Sequence, residues 1–397
     1  MLPMPMLSVN RLCHPNLVLL LCTVLLSACS ANSENSQNAY HLPQFNQALI
    51  HSTSAENVPK IASLTYLSEI QRQELAGFTA RDNIKALPNR LKVSEFINHK
   101  MTNFNYEGKN YTSTESWSNQ SGNCMALALL TYSVAKELNV YPVFQVVHAA
   151  PILTNITSDI LVTSDHVRTF LYDEKPSGHF LSGGIATVID YFPDRFDRTG
   201  EIVSESKFLA MFYRNLAADA MLEKQYEFAF ILLEQGLKLA PDYDALINMM
   251  AITHRRLGDE QTAEKLYLYA LDIKPNSLAV LSNYRLLLEL QSRTAEAKKI
   301  DQYLLSLESS NPYSYYSLGI EALEFKDYKT TVIFLEKFID NAPYFHPAYF
   351  ALARAQLGLG NTKKAQKILK KAIELTDMPD SKKHYLAKLD MLKKVSD

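Results

Sequence analysis

Apolar and polar positions divide the chain into a short apolar leader, a mixed middle and a long helical second half. Leu17 to Leu26 is an almost unbroken apolar stretch. Ser63–Gly77 and Leu91–Asn103 repeat their apolar residues at the spacing of a helix face, which predicts two amphipathic helices. The segment 124–138, Cys-Met-Ala-Leu-Ala-Leu-Leu-Thr-Tyr-Ser-Val-Ala-Lys-Glu-Leu, is apolar on most sides and predicts a central helix. Asn123 or Ser121 can cap its start, and Asn139 can take the left-handed conformation that ends it. Runs rich in β-branched and aromatic residues follow at Tyr141–Val147, Val167–Tyr172 and Ile185–Tyr191. They predict three strands. Pro176-Ser177-Gly178 and Ser182-Gly183-Gly184 punctuate the last two as in an antiparallel hairpin.

From residue 207 onward the helical pattern is periodic. Pro241, Pro275, Pro343 and Pro379 end successive helical stretches, and the first three share one grid. Pro241 to Pro275 is 34 residues, Pro275 to Pro343 is 68, and Ser309 stands at the skipped position. Paired helices on a 34-residue period identify this half as a member of the tetratricopeptide-repeat family. Tyr213, Leu216, Ala217, Ala229, Leu233 and Gly236 fill the packing positions of the first repeat, and Ala251, Ala263, Tyr267 and Ala270 those of the second. Tyr315, Leu318, Gly319, Ala322 and Leu335 mark the fourth; Tyr349, Leu352, Ala353, Ala365, Leu369 and Ala372 mark the fifth. The third, 278–311, is degraded. Arg285 occupies a usual small position and Asp301 a usual aromatic one. Such hairpins bury their apolar faces only by stacking, so five repeats over 207–379 call for a closing helix, which 380–397 supplies.

The N-terminus reads as an address. A weakly basic start with Arg11, a short apolar core and Leu26-Ser27-Ala28-Cys29 describe a secretory signal over 1–28. The ending resembles the lipobox of bacterial lipoproteins. That resemblance implies cleavage before Cys29 and a diacylglycerol on its sulfur. Ser30 at the next position points, in that family, to the periplasmic face of the outer membrane. Residues 29–45 are polar and read as a flexible tether. Cys13 and Cys22 leave with the signal, so Cys124 remains without an internal disulfide partner.

Removing 28 residues leaves 369, enough for two domains. Lys and Arg number 40 against 42 Asp and Glu, so net charge gives no support to nucleic acid as a partner. Scattered histidines and one mature cysteine predict no metal site, and no glycine-rich phosphate loop follows a strand. No cofactor is expected. Ten lysines between Lys363 and Lys394 form either a solvated outer face or a surface for anionic envelope material.

Candidate chemistry centres on Cys124. A thiol at a helix start meets unpaired N–H groups and the positive end of the peptide dipoles, which favours thiolate. The alternative is a small buried hydrophobe. The order of elements in 46–206 resembles the transglutaminase-like branch of the papain-like fold. The matching residues are Thr114-Glu115-x-Trp117-x4-Gly122-Asn123-Cys124, Val143–Val147, His166-Val167-Arg168 and Val188-Ile189-Asp190-Tyr191-Phe192. The expected fold class is therefore an α+β papain-like, transglutaminase-like domain followed by an all-α tetratricopeptide solenoid. The resemblance implies a triad of Cys124 as nucleophile, His166 as general base and Asp190 orienting the imidazole. His166 outranks His148 by its place at a strand opening; His179 lies in a turn, and His254, His346 and His384 belong to the repeats. Asp190 outranks Asp165, Asp173 and Asp194 by its place at a strand end. Trp117 is either a cleft wall or core, and Asn119 and Gln120 either help an oxyanion or form a polar loop.

Two functions remain. A Cys124 thioester resolved by water or by an amine would make an amide hydrolase or a transglutaminase, with hydrolysis favoured and the repeats positioning a protein partner. The other is a non-catalytic scaffold that docks partners on its repeats.

Overall fold

The computed structural model describes residues 41–51, 58–148, 165–176, 184–191, 193–194, 197–308 and 311–394. The expected signal peptide, Cys29, His179 and most of the expected tether lie outside them. Residues 42–397 group as one unit.

The helix expected over 63–77 is two helices, α1 (Ile61–Leu64) and α2 (Glu69–Thr79). Ser68 restarts the chain because its hydroxyl accepts from Gln71 N while the Gln71 side chain accepts from Ser68 N, closing a capping box. Helix α3 (Asn89–Met101) follows. Strand β1 (Asn105–Tyr106), helix α4 (Ser113–Asn119) and strand β2 (Ser121–Gly122) then lead to α5 (Cys124–Glu137). Strands β1 and β2 pair in parallel. Trp117 is core: it packs on Phe96 with ring centroids 4.7 Å apart and donates its Nε1–H to Glu74.

Four antiparallel strands form the second sheet: β3 (Tyr141–His148), β4 (Asp165–Tyr172), β5 (Thr187–Ile189) and β6 (Arg198–Val203), in the order β5-β4-β3-β6. Strand β6 is absent from the sequence expectation, since Arg-Thr-Gly-Glu-Ile-Val lacks an apolar alternation. Its pairing with β3 shifts register between Gln145 and Val147, and Gly200 sits there. A Cβ on Gly200 would lie 2.9 Å from the Val146 carbonyl oxygen, so only glycine fits the irregularity.

Strand β6 runs into the solenoid without a linker. Ser204 caps α6 (Glu205–Leu222), and Phe208 on that helix stacks on Phe144 of β3 at 3.7 Å with the rings 5° apart. One apolar cluster extends from Leu64 through the sheet and into the hairpins as far as Ala297. The boundary at 206/207 divides sequence patterns but not cores.

Helix pairs α6/α7 (Tyr226–Leu239), α8 (Asp244–Arg256)/α9 (Glu260–Ile273), α10 (Leu278–Leu290)/α11 (Thr294–Ser306), α12 (Tyr313–Glu324)/α13 (Tyr328–Asn341) and α14 (His346–Gly358)/α15 (Thr362–Leu375) make five hairpins among the described residues, closed by α16 (Pro379–Lys394). The degraded third repeat is a complete hairpin. In the fourth, Gly319 faces Leu335 so closely that a Cβ on Gly319 would lie 2.6 Å from Leu335 Cδ2. The equivalent residues of the third, Arg285 and Asp301, face each other as an ion pair, Nε to Oδ1 at 3.3 Å. Arg285 also meets Glu289 at 2.9 Å and Glu321 at 3.3 Å. Two departures from the family pattern thus compensate each other.

The segment before the first helix packs on the repeats. Phe45 meets Phe230 edge-on at 6.0 Å and also contacts His254. Asn46 donates its N–H to His254 Nε2 and its side-chain amide to Asp259. His254 is fully buried. Its Nδ1 bonds the Met250 carbonyl, and burial lowers its pKa, which keeps Nε2 an acceptor. Leu42 and Phe45 both rest on the core, so packed chain begins before the expected boundary at 45/46.

Burial pushes the Asp301 carboxyl above its ordinary value; Arg285 opposes this, while the charges of Glu289, Asp327 and Glu321 add to it. Arg285→Ala should therefore destabilise the chain by about 1–2 kcal/mol, a part-buried carboxylate having lost its counter-charge. Asp301→Tyr added to Arg285→Ala should recover most of that loss. Urea unfolding of the two singles and the double tests the coupling; additive effects would show that the pair does not act as a unit.

Candidate functional site

The site begins at the entry to α5. Gly122 has φ +143, and a Cβ there would lie 2.8 Å from that of Ala126, so the turn requires glycine. Asn123 then caps the helix, its side-chain oxygen accepting from Ala126 N at 2.9 Å. Its amide group donates to Asn110 Oδ1 at 2.7 Å, and Asn110 in turn donates to Asp219 of α6, tying the cysteine turn to the first hairpin. Cys124 is the first helical residue, half-buried, and a free thiol. Pairing of β1 with β2 sets Tyr106 opposite Gly122 and brings its hydroxyl 4.0 Å from Cys124 Sγ.

His166 comes from β4, opposite Val147 of β3. Alternation sends Val167, Thr169 and Leu171 into the core and leaves His166 and Arg168 on the other face of the sheet. Asp190 directly follows β5, one position beyond Ile189, which pairs with Thr169, and so falls beside Arg168. His166 Nε2 lies 3.3 Å from Asp190 Oδ1, and Arg168 Nε lies 3.5 Å from Asp190 Oδ2. A second carboxylate, Asp197, lies 3.8 Å from the same imidazole nitrogen. His166 is buried. Between sheet and helix, Tyr191 shares a hydrogen bond with Thr169 at 2.9 Å and also reaches Thr131 of α5.

The structure therefore joins His166 to Asp190, and sets Cys124 near enough for the charges of Asp190 and Asp197 to act on its sulfur. Sγ pairs with Tyr106; no hydrogen bond joins it to His166 among the described residues. The expected lowering of the Cys124 pKa is reversed. Burial, the largest cause, pushes the thiol up to about 11 from 9.0, and the two carboxylates add to this. Tyr106 and the N–H at the helix start pull the other way without offsetting it. At neutral pH the resting group is thus a thiol.

Sequence reasoning missed Asp197 and Tyr106. Asp197 lies in a loop with no strand pattern, and the only signal was the Asp194-x-x-Asp197 spacing of a turn. Tyr106 precedes the cysteine by 18 residues, and only strand pairing reveals their meeting. Among the described residues, no group of three or more His, Cys, Asp or Glu could hold a metal ion, and no helix is long and apolar enough to cross a membrane.

Residues 346–377 match the tetratricopeptide-repeat family model. This span is the fifth hairpin, α14 and α15. Among solved structures, the chain is similar to MamA 41-end of Desulfovibrio magneticus RS-1 at 19% identity and a TM-score of 0.30, over 43% of this chain and 96% of that one. It is similar to Pseudomonas aeruginosa PilF at 16% identity and 0.33, over 48% and 94%. For yeast Tom70 the values are 14% and 0.38, over 47% and 40%. Comparison with curated proteins gives no match.

Alkylation by iodoacetamide should follow a pH profile with its midpoint near 11, and be slow at pH 7. Because the tyrosine hydroxyl favours the thiolate, Tyr106→Phe should move the midpoint higher still. A midpoint at or below 9.0 in the unmodified chain would contradict the burial account.

Proposed function

We propose that the tetratricopeptide hairpins dock a protein partner and that the cysteine domain fused to them receives a segment of it. The observation that carries this reading is a row of exposed apolar side chains at one recurring place. Leu222, Leu290, Phe325, Leu357 and Leu359 stand where the first helix of a hairpin ends, each between 36% and 59% exposed. Large apolar groups repeated along one edge of a solenoid are unfavourable in water unless something covers them. The Asp197 turn adjoins the same solenoid: the charges of Asp197 and Arg198 act on Tyr313 of α12.

A second reading is favoured by the pairing of His166 with Asp190 near a cysteine that opens a helix. In it, Cys124 attacks an amide carbon, its proton passes by way of His166 to the leaving amine, and a thioester forms; water then releases the acid, or an amine a new amide. Backbone N–H groups at the helix start would hold the oxyanion. Hydrolysis is favoured over transamidation on the family resemblance alone. Lipidation of Cys29 and a place on the periplasmic face of the outer membrane rest on Leu26-Ser27-Ala28-Cys29 and complete the proposal.

Site-specific photocrosslinking in intact cells tests both. A photoreactive residue at Phe325 should give a discrete protein adduct that one at exposed Leu386 of α16 does not, and Leu290→Glu with Leu357→Glu should abolish it. No adduct, or equal adducts from both positions, would refute docking. A partner whose size or linkage changes only when Cys124 is present, compared with Cys124→Ala, would establish catalysis in addition.

A further inference from the structure

We propose that Asp197 is a positioning residue of this site: with Asp190 it fixes the imidazole of His166. The proposal rests on reading Cys124 and His166 as one site, not on any particular reaction.

Asp197 is tied to Asp194 by two hydrogen bonds. Its N–H donates to the Asp194 carbonyl at 3.1 Å, and its Oδ2 accepts from Asp194 N at 2.9 Å, closing a turn just before β6. Only 8% of the side chain is exposed. Oδ2 points to His166 Nε2 at 3.8 Å, while buried Oδ1 has no hydrogen-bond partner among the described residues. A carboxylate oxygen buried without a donor costs free energy, so such an arrangement needs a compensating role.

The charges around the imidazole suggest that role. Asp190 divides its two oxygens between His166 and Arg168. Among the described residues, no salt bridge offsets Asp197 except the contact with His166. Two carboxylates therefore share one ring nitrogen, and one guanidinium offsets only the first. The ring cannot rotate without losing both contacts. Removing a proton from Cys124 would add a third negative charge beside the pair, and the effect of both carboxylates on the sulfur is in that direction.

Asp197→Asn keeps the shape and removes the charge. In the full chain, iodoacetamide alkylation of Cys124 should shift to lower pH and run about three- to tenfold faster at pH 7, the change a pKa drop of roughly half to one unit produces. Asp197→Glu, which keeps the charge, should return the profile toward that of the unmodified chain. In a His166→Ala background the Asn substitution should shift the profile less, because part of the effect passes through the ring. Coincident profiles for Asp197→Asn and the unmodified chain, with equal thermal midpoints, would overturn the proposal. Equal shifts with and without His166 would overturn the positioning role. Should Asp197→Asn fail to fold, the profile of Asp197→Glu decides: a shift as large as that of Asp190→Asn would show that the Asp197 charge has no special place. Alkylation needs no substrate, so a chain that proved non-catalytic would leave this result readable.

Discussion

The stacking of Phe208 on Phe144 is the contact on which the architecture turns. Each ring belongs to a different sequence pattern, one to the sheet and one to the first hairpin, and both are fully buried. With only Ser204 between β6 and α6, the sheet edge determines where the solenoid starts. Tyr132 of α5 packs against both rings. The cysteine helix, the sheet and the first hairpin therefore share one core. An aromatic pair of this kind contributes about 0.5–1.5 kcal/mol beyond the area it buries, and here it also transmits geometry. The Asn123–Asn110–Asp219 chain adds a polar tie between the cysteine turn and the same hairpin.

Two opposing effects act on Cys124, and magnitude decides between them. A helix terminus is worth roughly 0.3–1 kcal/mol to a charge, less than one pKa unit at about 1.36 kcal/mol. Withdrawing the sulfur from water beside two carboxylates acts in the opposite sense and prevails, raising the thiol to about 11. Cys124 is thus protonated at neutral pH.

Much of this is legible in the sequence wherever period or chemistry repeats. The 34-residue grid locates all five hairpins, and Asn123 and Asn139 bound the cysteine helix as residue type suggests. The family resemblance names His166 and Asp190 together, and they lie 3.3 Å apart. What escapes depends on tertiary partners. Strand β6 has no apolar alternation because it lies at the sheet edge and is largely exposed, with only Val203 buried. Arg285 and Asp301 look like damage until they are seen opposite one another. Phe45 and His254 give no local sign that they will meet. The pKa of Cys124 runs against the sequence expectation because helix position can be read from sequence and burial cannot.

The shared core is tested most directly by two optical probes on one variant. Trp117 is the chain's one tryptophan and lies among the helices before the sheet, whereas far-UV dichroism is dominated by the repeats. Phe208→Ala should cost about 3–5 kcal/mol and lower the urea midpoint of both signals together. If the dichroism midpoint falls while Trp117 fluorescence unfolds where it did before, the two halves have separate cores and the account is wrong.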